Sequence, residues 1–579
     1  MSSDTLRILA TSDVHMNLTG FDYLRDVATT GLGLARLAAL VRDARAAGPS
    51  LLLDNGDLLQ GTVLGDLAAG PAGNPLPRIL GQMGYDAMGL DNHDMDFGLD
   101  AFAEFAHAAP VPLVCSNFDL PGTVRTAMVT RDLPSGTVQI GITSVLPPQT
   151  VIWNARHLGG LPAPRPPVEA ARAAVEALRA QGADIVVMLG HTGLAEDGPA
   201  AEEDFGRMLA RVPGLDALVL GHTHRRLPGP DHEGMTDVDA AAGRVAGVPA
   251  VMPGFGGACL GQIDLALERR NGTWAVTGAR TALLRAADAA GDDGAVAALV
   301  APLHMQARAL MARQVGTADQ PLHSYFAALG RDPGQAMCAR AMQQAITPQL
   351  HAAGLGALPL VAAVAPNAVG GRAGPRNYLL AQAGPLLRRH LALIAPYPNE
   401  VWALRVTGAE LCAWLERALG YYADGLGSGG PKPLVNWRHP VFNFDALFGL
   451  EAVYDPLRPF GARVAQLLHR GAPVRAGEEF ALVTTSYRAA GGGRFPGTGL
   501  DRVVARAPGT LIDALEKAVT GEPVRALGDA PFRLDAGGTT RVHLDTAPGA
   551  AEHLDQIAPH APEVAGTLES GFLRLSLTI

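Results

Sequence analysis

The stretch SLLLDNGD, residues 50–57, runs from three leucines straight into Asp54, Asn55, Gly56 and Asp57. A short apolar run closed by a glycine-containing polar turn reads as a strand buried on both faces, the kind found in parallel sheets. The pattern recurs. LRILATS (6–12) leads into Asp13 and His15 of SDVH, DIVVMLG (184–190) into His191, and DALVLG (216–221) into His222 and His224. PLVCSN (112–117), VQIGITSV (138–145) and VPAVMP (248–253) read as further strands. The segments 32–48 and 168–183 space their apolar residues as amphipathic helices do. Alternating strands and helices predict an α/β layered fold, and residues at strand ends are where such sheets build sites.

With 579 residues, of which 48% are hydrophobic, the chain is long enough for two or three domains with substantial cores. The net charge of −10 is mild, and no basic stripe favours a nucleic-acid polymer or a membrane surface as partner. Cys115, Cys259, Cys338 and Cys412 are scattered without short spacings and read as buried small hydrophobes. No run approaches the roughly 18 apolar residues of a spanning helix. The polar start MSSDT leaves little room for a secretory leader before SDVH, so a cytoplasmic location is expected, or a periplasmic one if a leader was removed.

The expected organisation is a first domain over 1–282, a helical connector over 283–319, a second α/β domain over 320–535 and a strand-ended tail over 536–579. No internal repeat is evident.

The strand-end residues share one chemistry. Asp13, His15, Asp57, His191, His222 and His224, joined by Asn92 of GLDNHDMDFG (89–98), offer carboxylate, imidazole and amide donors. That set is enough for two divalent ions, and mixed N/O donors suit Zn, Mn or Fe better than Ca or Mg. Two cations about 4 Å apart need an anionic bridge, the part expected of Asp57. Alternation would turn Asp13 and His15 to one side and His93 away from Asn92. His93 is then expected to act as a proton donor or charge stabiliser, oriented by Asp96.

The order D-x-H, G-D, N-H-D, G-H, G-H-x-H resembles the calcineurin-like metallophosphoesterase family. The resemblance implies that Asp13, His15, Asp57 and His224 hold one metal and Asp57, Asn92, His191 and His222 the other. It also implies a His–Asp pair, matched by His93 and Asp96. Relatives usually carry Gly before the Asn and Glu after the His. Here those positions are Asp91 and Asp94.

The layout as a whole resembles the 5'-nucleotidase superfamily, which implies a four-layer metallophosphoesterase sandwich followed by a nucleotide-recognition domain. TSDVHMNLTGFDY (11–23), DNGDLLQGTVLGD (54–66), VFNFD (441–445) and SYRAAGGGRFPG (486–497) are most similar to 2',3'-cyclic-nucleotide 2'-phosphodiesterase/3'-nucleotidases. Hydrolysis of small nucleotides in two steps is therefore expected, cyclic ester to 3'-nucleotide and then to nucleoside. A 5'-nucleotidase or nucleotide-sugar hydrolase with the same metals is the rival enzyme, and a nucleotide-binding scaffold without activity the rival of another class. No protein partner is implied.

Aromatic faces bind bases by stacking, worth about 1–3 kcal/mol each. Phe442 and Tyr487 are the expected base platform, with Phe444 in the core and the neighbouring glycines letting a ligand near the backbone. Asn367 and Arg372 in APNAVGGRAG (365–374) have the spacing that nucleotidase relatives use around substrate. The cyclic-phosphodiesterase pattern tends to have Phe and Lys where Asn367 and Ala368 stand.

Overall fold

The computed structural model describes residues 4–70, 73–158, 160–196, 199–524 and 530–579, without the side chains of 199, 200 and 372, and every count given is of these. It divides into two compact units, one ending at Ala309 and the other starting at Leu310.

In the first unit the strand Asp4–Thr11 pairs in parallel with Ser50–Asp54, which continues in parallel to Ala87–Met88 and Leu113–Val114. All five residues of Ser50–Asp54 are buried, as a strand covered on both faces requires. On its other side Asp4–Thr11 pairs antiparallel with Cys259–Arg270, completing a seven-stranded sheet with the hairpin partner Thr273–Arg285. A second, eight-stranded sheet holds Gly136–Val145, Ile185–Gly190, Ala217–Leu220 and Val248–Pro253 side by side.

Leu6, Ile8, Leu51 and Leu53 of one sheet meet Val187, Leu189 and Val219 of the other in a shared core. Helix Pro167–Ala180 covers the outer face of the second sheet through Ala171, Val175 and Leu178. Helix Leu34–Arg45 packs beside the first sheet with Leu34, Leu37 and Val41 buried. The result is the expected sandwich of helix, sheet, sheet and helix.

Two features depart from the sequence reading. The long hairpin Cys259–Arg285 was not among the expected strands, although Asn271 and Gly272 turn it with φ of 51° and 85°, the left-handed pair that a two-residue hairpin loop needs. The supposed helical connector is four elements: the end of Thr273–Arg285, a 3-10 turn at Ala286–Asp288, a helix confined to Gly294–Met311, and the strand Gln314–Ala318. Asp293 stops any earlier start, because its carboxylate accepts from Ala295 N and Val296 N at 3.0 and 3.2 Å. The helix is held to the first unit by Tyr23, whose hydroxyl lies 2.8 Å from His304 Nδ1, and by Arg308 above the Phe21 ring. These aromatics belong to the GFDY motif.

The second unit is built on a five-stranded mixed sheet of Ala446–Phe448, Leu360–Val364, Glu479–Thr485, Glu400–Thr407 and Val503–Thr510. Helices Pro333–Ala352 and Leu511–Val519 bury Met337, Ala341, Leu511 and Leu515 against it. Asp332 caps the longer helix by accepting from Gly334 N at 2.8 Å. The expected tail contributes Arg541–Thr546, Glu563–Thr567 and Leu573–Thr578 to a small sheet with Lys432–Pro433.

Candidate metal centre

Three strands of the first unit's core, Asp4–Thr11, Ser50–Asp54 and Ala217–Leu220, run into turns that hold left-handed residues. Asp13, His15, Asp57, His222 and His224 have φ of 52°, 48°, 56°, 70° and 57°. Such conformations cost a non-glycine residue about 1–2 kcal/mol, and their clustering is a mark of a functional site. Asp13 and His15 therefore converge through two strained residues and not through strand alternation.

The side chains meet in two groups. Asp13, His15 and His224 form one; Asp57, Asp91, His191 and His222 form the other. Asp57 Oδ2 lies 3.5 Å from both His15 Nε2 and His191 Nε2, between the groups. Asp13 Oδ1 is 3.5 Å from His224 Nε2 and 3.3 Å from His191 Nε2, and it accepts from the His222 amide at 2.9 Å.

The chemistry of these donors fits divalent cations. Carbonyl oxygens only accept, so His191 Nδ1, 2.6 Å from Asn55 O, and His15 Nδ1, 2.9 Å from Gln60 O, must carry the ring hydrogens. The Nε2 atoms of the neutral rings are then lone pairs turned inward. His191 Nε2 faces the carboxylates of Asp91, Asp13 and Asp57, and makes no hydrogen bond. His15 Nε2 faces His224 Nε2 at 3.2 Å. Lone pairs and carboxylates gathered out of water are mutually repulsive unless positive charge lies among them. Burial opposes charge on His191, yet the three carboxylates outweigh it and hold the imidazole well above its ordinary value, so that Nε2 draws a proton in the metal-free chain and a bound cation would take that proton's place.

Asn92 and His93 sit in a short 3-10 turn, Asn92–Met95, and not at a strand end as expected. Asn92 is buried, and its backbone carbonyl accepts from Asn154 Nδ2 at 2.7 Å. His93 Nδ1 lies 2.7 Å from Asp96 Oδ2, as the sequence suggested. Desolvation opposes a proton on His93, but Asp96 and Asp57 raise it to about 9. Its backbone N–H donates to Asp57 Oδ1 at 3.0 Å.

Four contributors escaped the sequence reading. Asp94 accepts from the backbone N–H groups of Asp57, Leu58, Leu59 and Asp91 at 2.9–3.1 Å, so this carboxylate clamps the two ligand loops together. Glu203 Oε1 lies 3.3 Å from His222 Nε2, and Trp153 stacks on the same ring at 5.1 Å. Asp91 stands inside the second group. Glu203 and Trp153 carried no motif, whereas Asp91 and Asp94 were visible as departures from the family pattern.

The remaining expected residues lie in the second unit. Phe444 is buried and stacked on Tyr421 at 4.3 Å, whereas Phe442 exposes 45% of its surface. Tyr487 is half-buried. Arg488 pins their two segments together, donating to Phe442 O, to Asn443 Oδ1 at 3.1 Å and to Asp445 Oδ2 at 3.1 Å. Of the glycines beside Tyr487, Gly492 packs on protein: a Cβ there would stand 2.5 Å from the Tyr487 ring. Asn367 turns its amide nitrogen to Ile394 O at 2.6 Å. The side chain of Arg372 lies outside the described residues.

The Calcineurin-like phosphoesterase family profile matches residues 6–226, and that of the 5'-nucleotidase C-terminal domain matches 314–499. The fold is similar to a putative 5'-nucleotidase from Staphylococcus aureus, with a TM-score of 0.75 and 20% identity over 92% of this chain and 99% of that one. Proteins from Haemophilus influenzae and Salmonella typhimurium, both named 2',3'-cyclic-nucleotide 2'-phosphodiesterase/3'-nucleotidase, are each 32% identical. The first alignment covers 98% of this chain and 94% of the relative, the second 94% and 90%. A calcineurin-like phosphoesterase unit followed by a 5'-nucleotidase C-terminal domain defines the class. Within it, the chain belongs to the 2',3'-cyclic-nucleotide 2'-phosphodiesterase/3'-nucleotidase family.

Proposed function

We propose that the protein opens 2',3'-cyclic nucleotides at the 2' oxygen and then hydrolyses the resulting 3'-nucleotides to nucleoside and phosphate. The observation that carries this is the convergence of Asp13, His15, Asp57, Asn92, His191, His222 and His224 in a chain of that family. Asp13, His15, Asp57 and His224 would hold one divalent ion, and Asp57, Asn92, His191 and His222 the other. Such ions supply Lewis acidity toward phosphoryl oxygens and make water a better nucleophile near neutral pH.

The protein's own groups do the rest. Asp96 holds Nδ1 of His93, which leaves Nε2 to give its proton to the departing sugar oxygen. Glu203 and Trp153 fix the ring of His222, and carboxylate–histidine pairs of this kind orient metal-binding imidazoles. In the second unit Phe442 and Tyr487 bind the base by stacking, on backbones that Arg488 fixes.

The test is product release from 2',3'-cAMP, 3'-AMP, 5'-AMP and UDP-glucose, measured side by side with Mn²⁺ present. Turnover of the first two above the others is expected. A preference for 5'-AMP over both would overturn the reading in favour of a 5'-nucleotidase.

A further inference from the structure

Asp91 occupies a position where the family resemblance places glycine, and it is fully buried. Its Oδ2 lies 3.0 Å from His191 Nε2 and 3.2 Å from His222 Nδ1. Its Oδ1 has no hydrogen-bond partner. Asn92 sets its amide oxygen 2.7 Å from the same Oδ2, acceptor against acceptor, with its nitrogen toward His93. Turning that amide over would give hydrogen bonds on both sides. With its oxygen on that side, the Asn92 amide and the Asp91 carboxylate place two oxygens close enough to share one cation. His191 supplies the lone pair argued above, and His222 presents Nδ1 while Nε2 faces Glu203.

We propose that Asp91 is an additional ligand of the ion held by Asn92, His191 and His222, a carboxylate that the common family pattern lacks. This rests on the two-ion reading of the site. Asp13, Asp57 and Asp91 then set three negative charges against the four positive charges of two divalent ions. The added carboxylate hardens one position, so that ion should be held more tightly and with a shift toward Mn²⁺ relative to Zn²⁺.

The backbone at Asp91, with φ −144° and ψ −170°, is extended and accepts other residues without strain. Asp91→Gly and Asp91→Asn should therefore fold, which thermal unfolding of the metal-free proteins would check. The experiment measures metal content after dialysis and, by calorimetry, the affinity of each position for Mn²⁺ and Zn²⁺. Wild type should retain two ions. Asp91→Gly should keep the one held by Asp13, His15 and His224 and lose affinity for Mn²⁺ at the other by on the order of 10–100-fold. The loss for Zn²⁺ should be smaller, and Asp91→Asn should fall between. Two ions held by Asp91→Gly as tightly as by wild type would overturn the proposal and leave the two-ion reading standing. An equal loss for both metals would also overturn it, since an acceptor that only orients Asn92 has no metal preference. A wild type that binds no ion would overturn the two-ion reading itself.

Discussion

His93 and Asp96 form a closed pair beside the candidate metal centre: Nδ1 and Oδ2 lie 2.7 Å apart, three residues from one another on a single short turn. The pairing fixes the ring, so His93 is available to the substrate through Nε2 alone. His93→Ala should keep both ions while kcat falls by about 10²–10⁴, the usual worth of a positioned acid. Asp96→Asn should lose less and also keep the metal. Metal analysis alongside steady-state kinetics checks both, and an ion missing from His93→Ala would make His93 a ligand.

Asp57 stands equally far from His15 and His191. Removing its charge should weaken both positions at once. Asp57→Asn is expected to lose more bound metal than either His15→Ala or His191→Ala, as measured by elemental analysis after gel filtration.

Gly221 carries the turn into His222. A Cβ there would stand 2.6 Å from Asp13 Oδ2, with Ser12 and Asn55 closing the other sides. Gly221→Ala should therefore push Asp13 from its place and lower Mn²⁺ affinity at least tenfold, although the substitution adds a single methyl group and removes no ligand. Calorimetric titration with Mn²⁺ reads the effect.

Tyr487→Ala should raise KM for nucleotides far more than it lowers kcat, because stacking holds the base in ground and transition states alike. Bis(p-nitrophenyl) phosphate lacks a base, and its hydrolysis should be nearly unchanged. If both substrates suffer equally, Tyr487 is a packing residue.

Asp332 offers a test of stability outside the centre. Burial raises its carboxyl to about 6, against the hydrogen bonds from Gly334 and Gln335. A folded-state value above the unfolded one gives stability that is complete below about pH 4 and lost as pH rises through about 6. Asp332→Asn should flatten that part of the pH–stability curve for the second unit, followed by urea unfolding between pH 4 and 7. An unchanged slope would mean the carboxyl titrates normally.

Asp13, His15, Asp57, His191, His222 and His224, which the fold brings together, were legible in the sequence because each follows an apolar run that reads as a buried strand. What the sequence misread was how they converge. Asp13 and His15 looked like strand alternation, but they lie on left-handed turns, a conformation that Asp and His adopt more readily than most residues yet still only occasionally. The hairpin at Asn271–Gly272 carried a clear turn signal, and Ile263, Leu265 and Leu267 alternate before it, but the strand after it, Thr273–Arg285, has its alternation diluted by small and charged residues. Glu203 and Trp153 act on His222 from distant points of the chain, so no spacing rule could have linked them. That Gly492 and Gly493 lie against the Tyr487 ring and Arg488 is a matter of packing that the run of glycines did not show.

The most direct measurement is the order in which products form from 2',3'-cAMP with the Mn²⁺-loaded protein, followed by chromatography over the full course of the reaction. The prediction is that 3'-AMP rises first and falls as adenosine and phosphate accumulate, with no 2'-AMP. Accumulation of 2'-AMP, or an inert 2',3'-cAMP beside rapid loss of 5'-AMP, would contradict it.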